Sequence, residues 1–171
     1  MRIRQITAAD AESYLRLCQS LDGETSYMLY EPGERIATVL EQVQWIQSIL
    51  SRNNQMVFVA ESEQKLVGHL QVMGGQLRRN RNTIYVVVGV MQEAIGKGIG
   101  TGLLKSLEQW ATAIGAHRLE LTVMTHNERA VSLYRKIGFE FEGIARETLY
   151  VGGSYVNEYL MAKLLQRVDT L

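Results

Sequence analysis

A chain of 171 residues with 46% hydrophobic side chains has the length and composition of one globular domain with a sizeable core, expected to span residues 1–171. Lysine plus arginine and aspartate plus glutamate balance at 18 each, which excludes the global basic field that nucleic-acid or anionic-membrane binding calls for. A lone cysteine, Cys18, excludes an internal disulfide and suits a reducing cytoplasm; no apolar run reaches transmembrane length, and Met1-Arg2-Ile3-Arg4-Gln5 has no secretory h-region.

Arg2 to Ile6 alternates polar and apolar residues, as a half-buried strand does. Thr7-Ala8-Ala9-Asp10 reads as a capping signal for a helix running to about Leu21. Cys18 shares a helical face with Tyr14, Leu17 and Leu21, so it is expected as a packed thiol rather than a nucleophile. Asp22 to Glu34 holds the single proline with glycines, acids and aromatics and reads as a long functional loop. Ile36, Val39, Leu40, Val43, Ile46 and Leu50 mark the apolar face of a second helix.

Gln55 to Glu61 and Lys65 to Met73 are expected to form an antiparallel pair. Arg78-Arg79-Asn80-Arg81-Asn82 is a basic connection, either a solvated loop or a contact for a 3′-phosphate or an acidic partner. Thr83 to Met91 is β-branched and reads as a buried strand, interrupted at Gly89, where a lone glycine signals a bulge or a close approach. Leu103, Leu107, Ala111 and Ile114 form one face of a helix. Arg118 to Met124 is a strand, Asn127 to Ile137 a short helix stopped by Gly138, and Phe139 to Tyr150 with Ser154 to Leu164 a closing antiparallel pair. His69 lies on a strand as a core or surface histidine, and His117 and His126 lack partners at metal-ligand spacing, so no metal site is expected.

Between the valine-rich strand and its helix lies Ile95-Gly96-Lys97-Gly98-Ile99-Gly100-Thr101. Glycines allow a tight turn and close ligand approach, and the first amides of a helix have no intrahelical partner. Strand, glycine turn and helix therefore make an anion site from main chain, with Lys97 adding charge at its rim. The spacing fits neither a P-loop nor the dinucleotide fingerprint, because Thr101 and Leu103 stand where a third glycine belongs. Nucleotide binding through this loop is the weaker reading for that reason.

The stretch Val90 to Leu104 resembles the acetyl-CoA pyrophosphate loop of the GNAT superfamily of N-acetyltransferases, whose motif is Gln/Arg-x-x-Gly-x-Gly/Ala. Ile95 departs from its first position, while Gly96, Gly98 and Gly100 keep the main-chain cradle. Asn127-Glu128-Arg129-Ala130-Val131-Ser132-Leu133-Tyr134-Arg135-Lys136-Ile137-Gly138-Phe139 resembles a second family signature at every named position. The element order, β-α-α-β-β-β-α-β-α-β-β, is also the family's. The fold class is thus mixed α/β, and the resemblance implies a central mixed, mostly antiparallel sheet flanked by helices.

The resemblance implies an acetyl-CoA-dependent N-acetyltransferase acting on a primary amine of a small molecule or a protein N-terminus by direct attack on the thioester. It places the cofactor against Val88, Val90, Ile95, Gly96, Lys97, Gly98, Ile99, Gly100, Thr101, Asn127 and Tyr134. Tyr134 is the implied general acid, since a phenol pKa of about 10 suits protonation of a departing thiolate. Asn127 caps its helix, contacts the pantetheine arm, or does both, and Tyr134 packs in the core or serves the site. A strand amide near Val90 is the candidate oxyanion donor. The glutamate that many members carry on the strand before the glycine loop is absent, so Glu24, Glu31 and Glu34 are the candidate bases. The loop's acidity favours a cationic amine. A non-catalytic acyl-CoA-binding domain is the alternative, favoured by Ile95 and the absent strand glutamate. By analogy the chain forms a homodimer through terminal strands, with no nucleic-acid or membrane partner.

Overall fold

The computed structural model describes residues 1–165; residues 166–171, the tail of the expected domain, lie outside it. The opening alternation becomes β1 (Arg2–Gln5). The Asp10 carboxylate accepts from the Thr7 amide at 2.8 Å and the Thr7 hydroxyl at 2.9 Å. One 3-10 turn, Ala8–Asp10, then leads into α1 (Ala11–Glu24). α1 runs past the expected stop at Leu21 and through Gly23, so Glu24 ends the helix rather than entering the loop. Its last turn is held by buried Asp22, which is bound to Arg35.

α2 (Val39–Leu50) begins at a second capping box, in which Glu41 N–H donates to Thr38 Oγ1 at 3.2 Å and Thr38 N–H to the Glu41 carboxylate at 2.7 Å. This box sets the helix start and corrects the expected apolar stripe. Ile36 lies before the helix and is 87% exposed, Leu40 is 67% exposed, and the buried side chains are Gln42, Ile46 and Ile49.

β2 (Gln55–Ser62) and β3 (Lys65–Gly74) form a hairpin through Glu63 and Gln64, whose φ angles of 50° and 62° give the primed turn that matches strand twist. β4 (Thr83–Val90) and α3 (Ile99–Ala113) flank the glycine loop. β5 (Arg118–Met124), α4 (Glu128–Ile137), β6 (Glu140–Val151) and β7 (Ser154–Leu164) complete the order. The seven strands run β1-β2-β3-β4-β5-β7-β6, antiparallel throughout except for the parallel pair β4/β5. The expected mixed, mostly antiparallel sheet and the element order are both present.

Alternation along the strands gives two cores. Val57 and Val59 point toward α1 and α2, where Leu21 and Ile46 meet them. Leu70, Ile84, Val86 and Leu121 point the other way, toward Leu103, Leu107 and Tyr134. Each such fully buried aliphatic side chain contributes about 2 kcal/mol. α4 ends at Gly138, φ 96°, and Lys163 Nζ donates to the freed Ile137 carbonyl at 2.6 Å while pairing with Glu108. Gly138 and Phe139 therefore act as a helix stop and a core anchor.

Candidate active site

The site starts from an interruption in the sheet. β4 and β5 pair only from Thr83 to Tyr85 against Arg118 to Glu120, and the ladder ends there. Beyond that point β4 stays bonded to β3 and β5 to β7. The two parallel strands diverge toward the glycine loop, which leaves the β5-facing main chain of Val86 to Val90 without a strand partner. Where the ladder stops, Tyr85 Oη and Thr122 Oγ1 share a hydrogen bond of 3.0 Å.

Gly89 lies on this diverging half. A Cβ there would sit 2.7 Å from Leu21 Cδ1 and 2.9 Å from His69 Nε2. The sequence signal of close approach at Gly89 is thus explained by side chains from α1 and β3 packed onto its Cα.

At the mouth of the cleft the glycine loop makes one 3-10 turn, Gln92–Ala94, then bends through Gly96 and Gly98 at φ 82° and 78°. Only glycine adopts these angles without strain, and a Cβ at either position would meet open space. Gly98 caps α3 with no side chain, and its carbonyl accepts from Gly102 N–H at 3.0 Å. The amides of Ile99, Gly100 and Thr101 precede the first helical bond. Lys97 is exposed, Ile95 half-buried, and the Ile99 side chain anchors the loop in the core. No carboxylate occurs between Glu93 and Glu108. Gly100 serves packing: its Cβ would lie 2.7 Å from Leu133 Cδ2 on α4.

α4 supplies the second wall. Asn127 Oδ1 accepts from Ala130 N–H at 3.2 Å, so the amide caps the helix and its nitrogen remains a donor. Tyr134 is 7% exposed, with its ring 5.8 Å from that of Phe139. Burial pushes its phenol well above the ordinary pKa, and neighbouring Tyr85 adds to the shift. The hydroxyl has no hydrogen-bond partner among the described residues. It stays protonated at any working pH, held there by the burial that also weakens it as an acid.

The opposite face of the sheet carries a cavity of about 740 Å³ between α1, α2 and the loop joining them. Its floor includes His69, Gln71 and Val87, and Tyr14 stacks on Trp45 at 5.8 Å. The loop is fastened by Arg35, whose Nε and Nη2 donate to Asp22 at 2.7 and 3.1 Å, and whose guanidinium lies 4.2 Å from the Tyr30 ring centroid. His69 is buried: Nδ1 shares a 3.2 Å bond with the Tyr14 hydroxyl, while Nε2 has no partner among the described residues. Burial, and then the Arg35 charge, pull its pKa down to about 4, so it is neutral at pH 7. Cys18 is buried beside Tyr14, its pKa pushed up to about 11 by burial, as expected of a packed thiol.

The three candidate bases part company. Glu34 lines the large cavity, its carboxylate accepting from Glu31 N–H at 2.8 Å. Glu31 lines a smaller cavity of about 350 Å³ between the loop and the β6–β7 turn. Glu24 accepts from Gln92 N–H at 2.8 Å and so ties the end of α1 to the glycine loop. The basic connection at Arg78 to Asn82 joins the far ends of β3 and β4, away from the glycine loop, which leaves its 3′-phosphate reading without support.

Sequence reading missed Asp22 with Arg35, the Tyr14–His69 pair, and the Tyr85–Thr122 bridge. The aromatic and charged residues are visible in the chain, but no spacing rule joins positions on different elements.

A splayed parallel strand pair, a glycine turn feeding a helix and a tyrosine helix beside them define an acetyltransferase site, and the family model described as acetyltransferase (GNAT) family matches residues 14–139. The chain belongs to the GNAT acetyltransferase family. Among curated relatives, an L-amino acid N-acetyltransferase of Escherichia coli K12 is 28% identical over 121 residues, covering 70% of this chain and 75% of the relative. The spermidine N(1)-acetyltransferase of the same organism is 26% identical over 148 residues, covering 86% and 78%. An acetyltransferase of the family from Streptococcus pneumoniae superposes with a TM-score of 0.93 at 28% identity, over 96% of this chain and 99% of that one. A putative acetyltransferase from Salmonella typhimurium, solved with its cofactor acetyl-CoA, shares the fold at a TM-score of 0.87 and 19% identity, over 100% and 97%.

Proposed function

We propose that this chain transfers an acetyl group from acetyl-CoA to a primary amine of a small molecule or a peptide N-terminus, in the cytoplasm. The observation that carries this reading is the parting of β4 from β5 beyond Tyr85, with the glycine turn at the head of α3 and α4, which carries Tyr134, packed onto that turn through Leu133. The residues present fit the co-substrate. The amides of Ile99, Gly100 and Thr101 and the Lys97 charge suit a pyrophosphate. Main chain at Val88 and Val90 and the free nitrogen of Asn127 suit an amide-bearing arm. Acetyl-CoA supplies a thioester whose carbonyl an uncharged amine attacks directly, leaving an amide and a thiol.

The chain's residues do the rest. Tyr134 Oη gives its proton to the leaving sulfur as charge builds there; burial keeps the phenol protonated but also makes it a weaker acid than an ordinary phenol, so it acts only on the fully developed thiolate charge. A β4 amide near Val90 stabilises the developing negative charge. The amine lies in the larger cavity, where Glu34 takes its proton through water. Glu31 and the Tyr150 region bound the smaller cavity and contact the acceptor's distal part. Glu24 holds the glycine loop rather than the proton. Pairing of two copies would cover the open edge of β6, where Phe141 and Ile144 are exposed. Amino acids and spermidine, acceptors in the names of two relatives, head the amine panel.

The test is thiol release from acetyl-CoA across that panel, read alongside a thermal shift with desulfo-CoA. Stabilisation by desulfo-CoA with amine-dependent thiol release is expected. Stabilisation without release for any amine would make this a non-catalytic acyl-CoA-binding domain.

A further inference from the structure

At the end of the sheet away from the glycine loop, β2 begins, β3 ends, and β4 and β5 begin. Three connections meet there, residues 51–54, 75–82 and 114–117. None of them carries an aspartate or glutamate, and the acid-free stretch around the second runs from Gln64 to Gln92. They carry Arg52, Arg78, Arg79 and Arg81, all exposed, and none of these pairs with a carboxylate among the described residues. Of the carboxylates on elements that begin nearby, Asp10 pairs with Arg4, Glu12 with Arg16 and Glu142 with Arg118, while Glu140 at the start of β6 has no ion-pair partner among the described residues. In a chain with no net charge, four of the 13 arginines gather on these three acid-free connections.

Arg52 follows the C-terminus of α2, where a cation is favourable in itself. The three arginines of the β3–β4 connection have no such role, and their loop is held in shape. Asn54 Nδ2 donates to the carbonyls of Gly75 and Arg81 at 2.9 and 3.3 Å. Leu77 N–H donates to Asn80 Oδ1 at 3.0 Å, and Asn80 N–H returns a bond to the Leu77 carbonyl at 3.1 Å. A Cβ on Gly74 would lie 2.3 Å from Asn54 Nδ2, and one on Gly75 2.3 Å from Asn80 Cγ. The backbone that presents the arginines is thus fixed before any partner arrives, which lowers the ordering cost of binding.

We propose that residues 76–82 are a docking site for an acidic polypeptide segment that also carries an apolar residue. Guanidinium forks match carboxylates bidentately. Leu77, 72% exposed among the arginines, offers an apolar contact that a phosphate backbone does not use. None of the three connections carries a Phe, Tyr or Trp, so they lack the aromatic platforms on which single-stranded nucleic-acid sites stack successive bases. The surface is independent of the transfer site, at the other end of β4.

The test is fluorescence anisotropy with a fluorescein-labelled peptide of alternating Glu and Leu, and a labelled uridine oligomer as the comparison ligand. The peptide should bind at low ionic strength and weaken as salt is added. Combining Arg78→Ala, Arg79→Ala and Arg81→Ala should weaken it about tenfold or more with the melting temperature unchanged. Leu77→Ser should weaken the peptide and leave any oligomer binding alone. Absence of peptide binding at low salt, an unchanged affinity in the combined variant, or tighter binding of the uridine oligomer would each overturn the proposal.

Discussion

The two faces of the β4 region offer different materials to a ligand. On the α3/α4 side the groups are main chain: orphan amides at the head of α3 and an unpaired β4 edge, with Asn127 and Tyr134 beside them. On the α1/α2 side they are side chains: Tyr14, Trp45, His69 and Arg35, gathered from different elements around a cavity. Main chain reads no particular side-chain identity, so the first face suits a ligand that stays the same. A cavity walled by side chains can be re-shaped by single substitutions, so it suits a ligand that differs from one relative to the next. Ile95 fits this contrast, since its departure from the family motif leaves the amide cradle in place.

The largest effect should come from the side-chain face. Arg35→Ala leaves Asp22, whose side chain is 2% exposed, as an unpaired buried charge. That costs about 4 kcal/mol, or a fall of roughly 10 °C in melting temperature. A fall of only a degree or two would mean that this face is not built on its ion pair. Acetyl-CoA affinity should hardly change, which titration calorimetry would check.

His69 gives the next effect, through pH. Its folded pKa of about 4 lies below the ordinary histidine value of 6.5. As pH falls, the unfolded chain takes up the proton first, so the stability is whole above about 6.5 and is lost toward about 4. The loss reaches about 3 kcal/mol. Chemical denaturation at several pH values should show this slope, and His69→Gln should flatten it. An equal slope in the variant would assign the dependence elsewhere.

On the donor face, Tyr134→Phe should lower turnover about 100-fold while leaving acetyl-CoA binding intact. Unchanged turnover would return Tyr134 to core packing alone. The smallest effect separates the two roles of Asn127. Asn127→Ala loses the cap and costs about 1 kcal/mol. Asn127→Asp keeps the cap but gives up the donor nitrogen, so it should raise the KM for acetyl-CoA with little change in melting temperature. A lowered KM or an unaltered one would leave Asn127 as a cap only.

The geometry of the α3/α4 side was largely legible in the chain because its signals are local. Gly96 and Gly98 fall within one turn, and Asn127, Tyr134 and Gly138 within one short helix and its caps. The α1/α2 side was not, because Asp22 and Arg35, or Tyr14 and His69, meet only when α1, α2 and β3 pack. The misread stripe of α2 has the same origin: the apolar spacing through Ile36 and Leu40 is real, but the Thr38–Glu41 box and contact with α1 select another face.

By itself, then, the chain determined the strand–turn–helix cradle, the tyrosine helix and the order of elements, all set by backbone propensity and short-range periodicity. Only the tertiary structure decided where β4 and β5 part, which glutamate faces the larger cavity, and that His69 is buried with one nitrogen unpaired. Those features depend on strand register and on contacts between elements distant in sequence, and no local pattern of residues encodes them.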